Sequence, residues 1–237
     1  MSLDRRTFFA ATAGFSLLPG LATGQDAARE KRLREDWAWW ARYADDNARL
    51  RTAGEPVGVV FMGDSITEGW RDKRPEFFRE GRVGRGISGQ TTSQMVLRMM
   101  PDVIALRPRA VHIMAGTNDV AGNTGPMTRA QTYDNLMAMA QLAKANGIAV
   151  LLASVPPAAG FPWRPGLPTI EPIAEINAWI RAYAARIGAT HVDYAAALGD
   201  GRGGIRKGLA LDGVHPEAAG YAAMEKVIEP ILLGMKL

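Results

Sequence analysis

The hydrophobic positions change rhythm along the chain. Over residues 27–50 the charges of Arg29, Glu30, Lys31, Arg32, Arg34 and Glu35 interleave with Leu33, Trp37, Trp40, Tyr43 and Ala44 at approximately helical spacing. This predicts a leading amphipathic helix whose aromatic side chains, Trp37, Trp39 and Trp40 among them, dock onto a core rather than form a sugar or membrane platform. After Gly54-Glu55-Pro56 the pattern becomes short apolar runs separated by longer helical stretches. The runs at 57–62, 82–84, 110–115, 148–153 and 190–193 predict strands, and the stretches 92–106, 128–146, 172–187 and 216–233 predict helices. The strand candidates are continuous apolar runs rather than alternating ones, as strands covered on both faces are. The expected fold is therefore α/β: a five-stranded, mostly parallel sheet between two helical layers. No repeat or linker divides residues 25–237, although 156–172 is a proline-rich excursion, so one domain is expected there.

The N-terminus reads as an address. Arg5 and Arg6 precede the run Phe8-Phe9-Ala10-Ala11-Thr12-Ala13-Gly14-Phe15-Ser16-Leu17-Leu18, and the small residues Ala22-Thr23-Gly24 follow. The run is short for a bilayer span, which needs roughly 20 mostly apolar residues. Residues 1–24 are expected to be a cleavable export signal, the alternative being an uncleaved amphipathic helix. Asp4-Arg5-Arg6-Thr7-Phe8-Phe9 resembles a bacterial twin-arginine signal, which implies a periplasmic or secreted destination with no stable membrane anchor after cleavage.

Composition narrows the chemistry. With 47% hydrophobic and 22% charged residues the chain is neither disordered nor fibrous. Cysteine is absent, which excludes disulfides, thiolate metal sites and cysteine nucleophiles together. The 28 basic and 24 acidic residues are scattered, with no long basic block, so no nucleic-acid partner is expected.

In a parallel sheet, functional groups gather in the loops beyond the carboxyl ends of the strands. Those loops read Gly63-Asp64-Ser65-Ile66-Thr67-Glu68, Gly86-Ile87-Ser88-Gly89, Gly116-Thr117-Asn118-Asp119 and Asp212-Gly213-Val214-His215-Pro216. They supply a hydroxyl, a backbone donor, a side-chain amide, and a carboxylate three residues from an imidazole, a set suited to acyl transfer. Each has a plainer reading. Ser65-Ile66-Thr67-Glu68 fits a helix capping box, Asn118-Asp119 an Asx turn, and Asp212 to Pro216 a turn into a helix. Gly84-Arg85-Gly86-Ile87-Ser88-Gly89 has dinucleotide-binding spacing, but the acidic residue that should follow about 20 positions on is missing. Beyond residue 24 the only serines are Ser65, Ser88, Ser93 and Ser154, and the only histidines His112, His191 and His215. His112 and His191 fall within predicted strands, where a packed imidazole is the default, so only His215 has a carboxylate at loop distance. No G-x-S-x-G occurs, which disfavours the α/β-hydrolase nucleophile elbow.

The four blocks together resemble those of the GDSL, or SGNH, esterase and lipase family, closest to its lysophospholipase-like and platelet-activating-factor-acetylhydrolase-like branch. The resemblance runs from about Val57 to the C-terminus, with Ile66 in place of the family's Leu and Gly84 where many relatives carry Asn. It implies a flavodoxin-like α/β/α sandwich and a serine ester hydrolase requiring neither metal nor organic cofactor. It further implies Ser65 as nucleophile, His215 as general base and acid, and Asp212 as the group orienting His215. The implied oxyanion hole is built from the N–H groups of Ser65 and Gly89 and the side-chain amide of Asn118. Asp64 is taken as a substrate contact, and Trp163, in the proline-rich excursion, as either a substrate wall or part of a packed lid. The loop 201–207 reads as a solvated charged loop, the alternative being a contact for a phosphate or uronate. The expected substrate is a short acyl ester, acetyl first, of a carbohydrate or small lipid. Acyl transfer to another alcohol, and a non-catalytic carbohydrate- or envelope-binding role, are the alternatives.

Overall fold

Five parallel strands, β1 (Val59–Gly63), β2 (Arg82–Gly86), β3 (Ala110–Met114), β4 (Ala149–Ala153) and β5 (Thr190–Val192), form one sheet in the order β2-β1-β3-β4-β5. The computed structural model describes residues 24–237, so the expected export signal lies, up to residue 23, outside the described residues. The five strands correspond to the five apolar runs. β1, β3 and β4 are almost wholly buried, as continuous hydrophobic runs in a parallel sheet require.

Side-chain alternation along the strands divides the core in two. Val60, Met62, Val111, Ile113, Val150 and Leu152 point to one face, where α4 (Thr92–Asp102), α6 (Arg129–Ala145) and α7 (Ile170–Ile187) pack with Met95, Met99, Leu136, Met139, Ile176 and Ile180. Val59, Phe61, Ala110, Met114, Leu151 and Ala153 point to the other. There α3 (Ser65–Lys73), α8 (Tyr194–Leu198) and α9 (Ala218–Gly234) contribute Trp70, Tyr194, Tyr221 and Met224. Trp70 stacks on Phe77 and Tyr221 with centroids 4.8 and 5.9 Å apart, making this second core an aromatic one. The short helix α5 (Thr117–Ala121) follows β3 at the sheet's carboxyl edge.

The strand order places a switch point between β1 and β3, because the chain leaves β1 for one side of the sheet and returns through β2 to the other. A crevice opens there beyond the strand ends, and the loops after β1, β2 and β3 converge on it.

The leading segment departs from the single helix expected. It is α1 (Gly24–Glu35), a 3-10 turn (Trp40–Tyr43) and α2 (Ala44–Ala53). The break lies where Trp39 adopts a left-handed backbone (φ 56°) and the Asp36 carboxylate accepts the N–H groups of Trp40 and Ala41 at 2.8 and 3.0 Å. The expectation that the tryptophans dock onto the core is also corrected: Trp37 and Trp40 are 38% and 54% exposed, while Ala38 and Tyr43 are buried.

Candidate active site

The loop from β1 into α3 decides what Ser65 can do. Gly63 ends the strand, Asp64 is the helix N-cap, with its carboxylate accepting the Ile66 N–H at 2.9 Å, and Ser65 is the first helical residue. The capping-box reading of Ser65 therefore fails, because the cap lies one residue earlier. Glu68, its supposed partner, accepts the Ser88 N–H at 2.8 Å and pairs with Arg42 at 3.0 Å. The Ser65 hydroxyl instead lies 2.9 Å from His215 Nε2.

His215 stands in the loop before α9, and Gly213 there takes a positive φ of 78° that lets the chain fold back on itself. Asp212 Oδ1 accepts the N–H groups of Val214 and His215 at 2.9 and 2.7 Å, while Oδ2 lies 2.6 Å from His215 Nδ1. One oxygen thus shapes the loop and the other orients the ring. Burial pushes the Asp212 carboxyl up, but the bonds from the His215 ring and from the two backbone N–H groups outweigh it and hold the group below its ordinary range.

Gly89 reaches the crevice from the β2 side. Its φ is 77°, and a Cβ there would meet only Asn123 Nδ2 at 3.9 Å, so backbone conformation rather than space favours glycine. By contrast a Cβ on Gly86 would come within 2.7 Å of Asp64 O, so the end of β2 can lie against the first turn of α3 only as glycine. Asn118 enters from α5. Its amide donates to Gln90 O at 3.0 Å and to Asp64 Oδ2 at 3.3 Å, and its carbonyl accepts from Asn123 Nδ2 at 2.7 Å. The Asx-turn reading of Asn118-Asp119 gives way to longer contacts, since Asp119 accepts Thr92 N–H at 3.0 Å and Thr132 Oγ1 at 3.2 Å, tying α5 to α4 and α6.

Asp64 requires a correction. It was expected to touch substrate, but it is 2% exposed and both oxygens are engaged by Ile66 and Asn118, which makes it a helix cap and an anchor for the Asn118 amide. Burial pushes its carboxyl from 3.8 up to about 6. The native state therefore keeps this proton to higher pH than the unfolded chain does. The contribution of Asp64 to stability is full below the unfolded value of 3.8 and falls as pH rises through about 6. Asp64→Asn should flatten that stretch of the stability curve, read by urea unfolding at steps between pH 4.5 and 7; an unchanged slope would remove Asp64 as its source.

Trp163 lies at the rim. It is 40% exposed, stacks on buried Phe161 at 5.0 Å, and its ring centroid is 5.8 Å from that of His215. His112 behaves as its place in a strand suggested: it is buried, bonded to Tyr194 at 3.0 Å, and lowered to about 3 by loss of solvation.

Beneath the crevice lies a clamp that no local motif announced. The buried Arg98 guanidinium donates to Arg85 O at 3.1 Å, Gly63 O at 3.4 Å and Gln90 Oε1 at 2.7 Å, and pairs with Asp102 at 2.7 Å. It ties together the carboxyl ends of β1 and β2. An arginine on an amphipathic helix reads as solvated, and only the sheet's position turns it inward.

The model of the GDSL-like lipase/acylhydrolase family matches residues 61–223, from the second half of β1 to within α9, and so includes every loop described above. The chain belongs to that family. Its members' chemistry, hydrolysis of carboxylic esters, is accordingly the chemistry of this GDSL-family enzyme. The esterase TesA of Pseudomonas aeruginosa is 29% identical over 188 residues, 77% of this chain and 87% of TesA. A GDSL-like lipase from Bacteroides thetaiotaomicron is 44% identical, with 84% of this chain and 100% of that one covered and a TM-score of 0.79. A candidate acylhydrolase from Bacteroides fragilis is 41% identical over 85% of this chain and 99% of its own, with a TM-score of 0.80. Among the described residues of this GDSL-family enzyme, no helix is long and apolar enough to cross a membrane.

Proposed function

We propose that this enzyme cleaves short acyl esters, acetyl esters first, of carbohydrates or small lipids through a Ser65 acyl-enzyme. The observation that carries the reading is the unbroken relay from Ser65 Oγ to His215 Nε2 at 2.9 Å and from His215 Nδ1 to Asp212 Oδ2 at 2.6 Å. In the first half-reaction His215 Nε2 takes the Ser65 proton as Oγ bonds to the ester carbon, and Asp212 stabilises the imidazolium. The tetrahedral intermediate then expels the alcohol, which receives that proton. In the second half-reaction water attacks the acyl-enzyme, giving its proton to His215, and the acid leaves as Ser65 regains its own.

The developing oxyanion meets the N–H of Ser65 at the start of α3, where the helix dipole favours negative charge, together with the N–H of Gly89. Asn118 Nδ2 carries two protons. One is held by Gln90 O at 3.0 Å, and the other, whose contact to Asp64 is the longer 3.3 Å, is the proton that can be shared with the oxyanion. Trp163, beside the general base, is the substrate wall of this reading, and polar Ser88, Asn123 and Thr124 around the Gly89 side favour a hydroxylated substrate over a long alkyl chain. Export rests on Arg5-Arg6 and the apolar run that follows, and the mature domain is then 25–237.

The test is hydrolysis of p-nitrophenyl esters of increasing chain length. Acetate and butyrate should give the highest kcat/KM, falling at least about tenfold by decanoate. A maximum at long chains would move the substrate to lipids, and a folded protein without turnover would leave a binding role in place of catalysis.

A further inference from the structure

A cavity of about 230 Å3 adjoins the crevice on the Gly89 side, and one of its walls comes from outside the family-matched region. Ser88, Gly89, Asn123 and Thr124 line it from the loops of the site, and Arg32, Leu33 and Trp37 line it from the leading segment, Leu33 being its one aliphatic side chain. That segment is held against the Gly86 to Gln90 loop and the first turn of α4 at several points. Gln94 Nε2 donates to Trp37 O at 2.7 Å, Gln90 Nε2 to Ala38 O at 2.8 Å, and the Tyr43 hydroxyl to Gly86 O. Arg42 joins them through Glu68, whose other oxygen accepts the Ser88 N–H. The wall is therefore a fixed strap and not a chance neighbour.

Its chemistry is specific. A partly exposed indole offers a flat apolar face, and hydroxyls, an amide and a guanidinium stand around it, the Arg32 guanidinium itself lying 4.2 Å above the Trp39 ring. A flat face among directional polar groups recognises a hydroxylated ring, whereas an alkyl chain calls for apolar walls throughout. The cavity is smaller than the roughly 300 Å3 at which drug-sized pockets begin, which suits a single ring.

We infer that the strap and the Gly89 loop form a saccharide subsite, in which one sugar ring of the substrate packs on Trp37 while its ester lies over Ser65. Trp37 is then a specificity-determining residue. The inference rests on the carbohydrate-ester reading above, and the test separates the two.

In the full chain, the ratio of kcat/KM for methyl 2,3,4-tri-O-acetyl-β-D-xylopyranoside to that for p-nitrophenyl acetate should fall about tenfold in Trp37→Ala, mainly through KM. Trp37→Phe, which keeps a flat ring, should restore most of it. An unchanged ratio, including an equal fall on both substrates, would overturn the subsite and leave the strap only a brace for the loop. Binding is read independently of turnover by saturation-transfer NMR of free xylotriose with Ser65→Ala. Signal is expected there and is expected to vanish in Ser65→Ala/Trp37→Ala; its absence in the first protein, or persistence in the second, would also overturn the subsite. Trp37-dependent xylotriose binding in an enzyme that cleaves p-nitrophenyl acetate but no acetylated sugar would sink the substrate reading and leave the subsite standing.

Discussion

Ser65→Ala is expected to lower kcat on p-nitrophenyl acetate by about 10⁴- to 10⁶-fold while leaving the melting temperature within about 2 °C of wild type. The helix does not depend on the lost hydroxyl, because Asp64 caps α3 and the Ser65 side chain contacts His215 instead. Alanine is also a good helix former at the first helical position. Activity and stability should therefore separate. A fall in melting temperature of several degrees would return Ser65 to a capping role, and retained turnover would remove it as the nucleophile. The residual rate reports what the oxyanion donors accomplish without a nucleophile.

Asp212→Asn should cost about 10⁴-fold in kcat at neutral pH with a much smaller change in KM. The reason lies in the division of labour between its oxygens. The asparagine carbonyl can still accept the Val214 and His215 N–H groups, so the loop should survive. The amide nitrogen, however, would face His215 Nδ1 with a donor. The imidazole is then driven to the tautomer whose proton sits on Nε2, facing Ser65, and it can no longer take the serine proton. Raising the pH should not rescue the variant, since the fault is tautomeric. A loss under tenfold would show that Asp212 only shapes the turn.

Some of this was legible before any fold was known. Sheet strands buried on both faces must be apolar without interruption, so the runs of β1, β3 and β4 declared themselves, whereas β2, with Arg82 and Arg85, and the short β5 carry a weaker signal. A parallel sheet brings its carboxyl-end loops to one rim whatever the helices do. Asp212 and His215 were readable as a pair because three residues of loop suffice to bring them together. His112 was readable as core because it lies within a buried apolar run.

The ambiguous residues were those with two local solutions of similar energy. Ser-x-x-Glu caps a helix in one register and Asp64 caps it in another; the direction in which β1 delivers the chain chooses between them, and with it frees Ser65 and sends Glu68 to Ser88. The burial of Asp64 depends on Asn118 of α5 meeting it, and that of Arg98 on α4 packing against the carboxyl end of β1, contacts made across tens of residues that leave no periodic trace. The tryptophans of the leading segment looked like core because spacing alone cannot distinguish a face that packs on the sheet from one that borders a cavity. The chain's own pattern thus determined the layers, the strands and the four loops. Tertiary structure decided which polar groups stayed free to react, because each hydrogen-bonding group has few partners and only the folded arrangement settles which of them it meets.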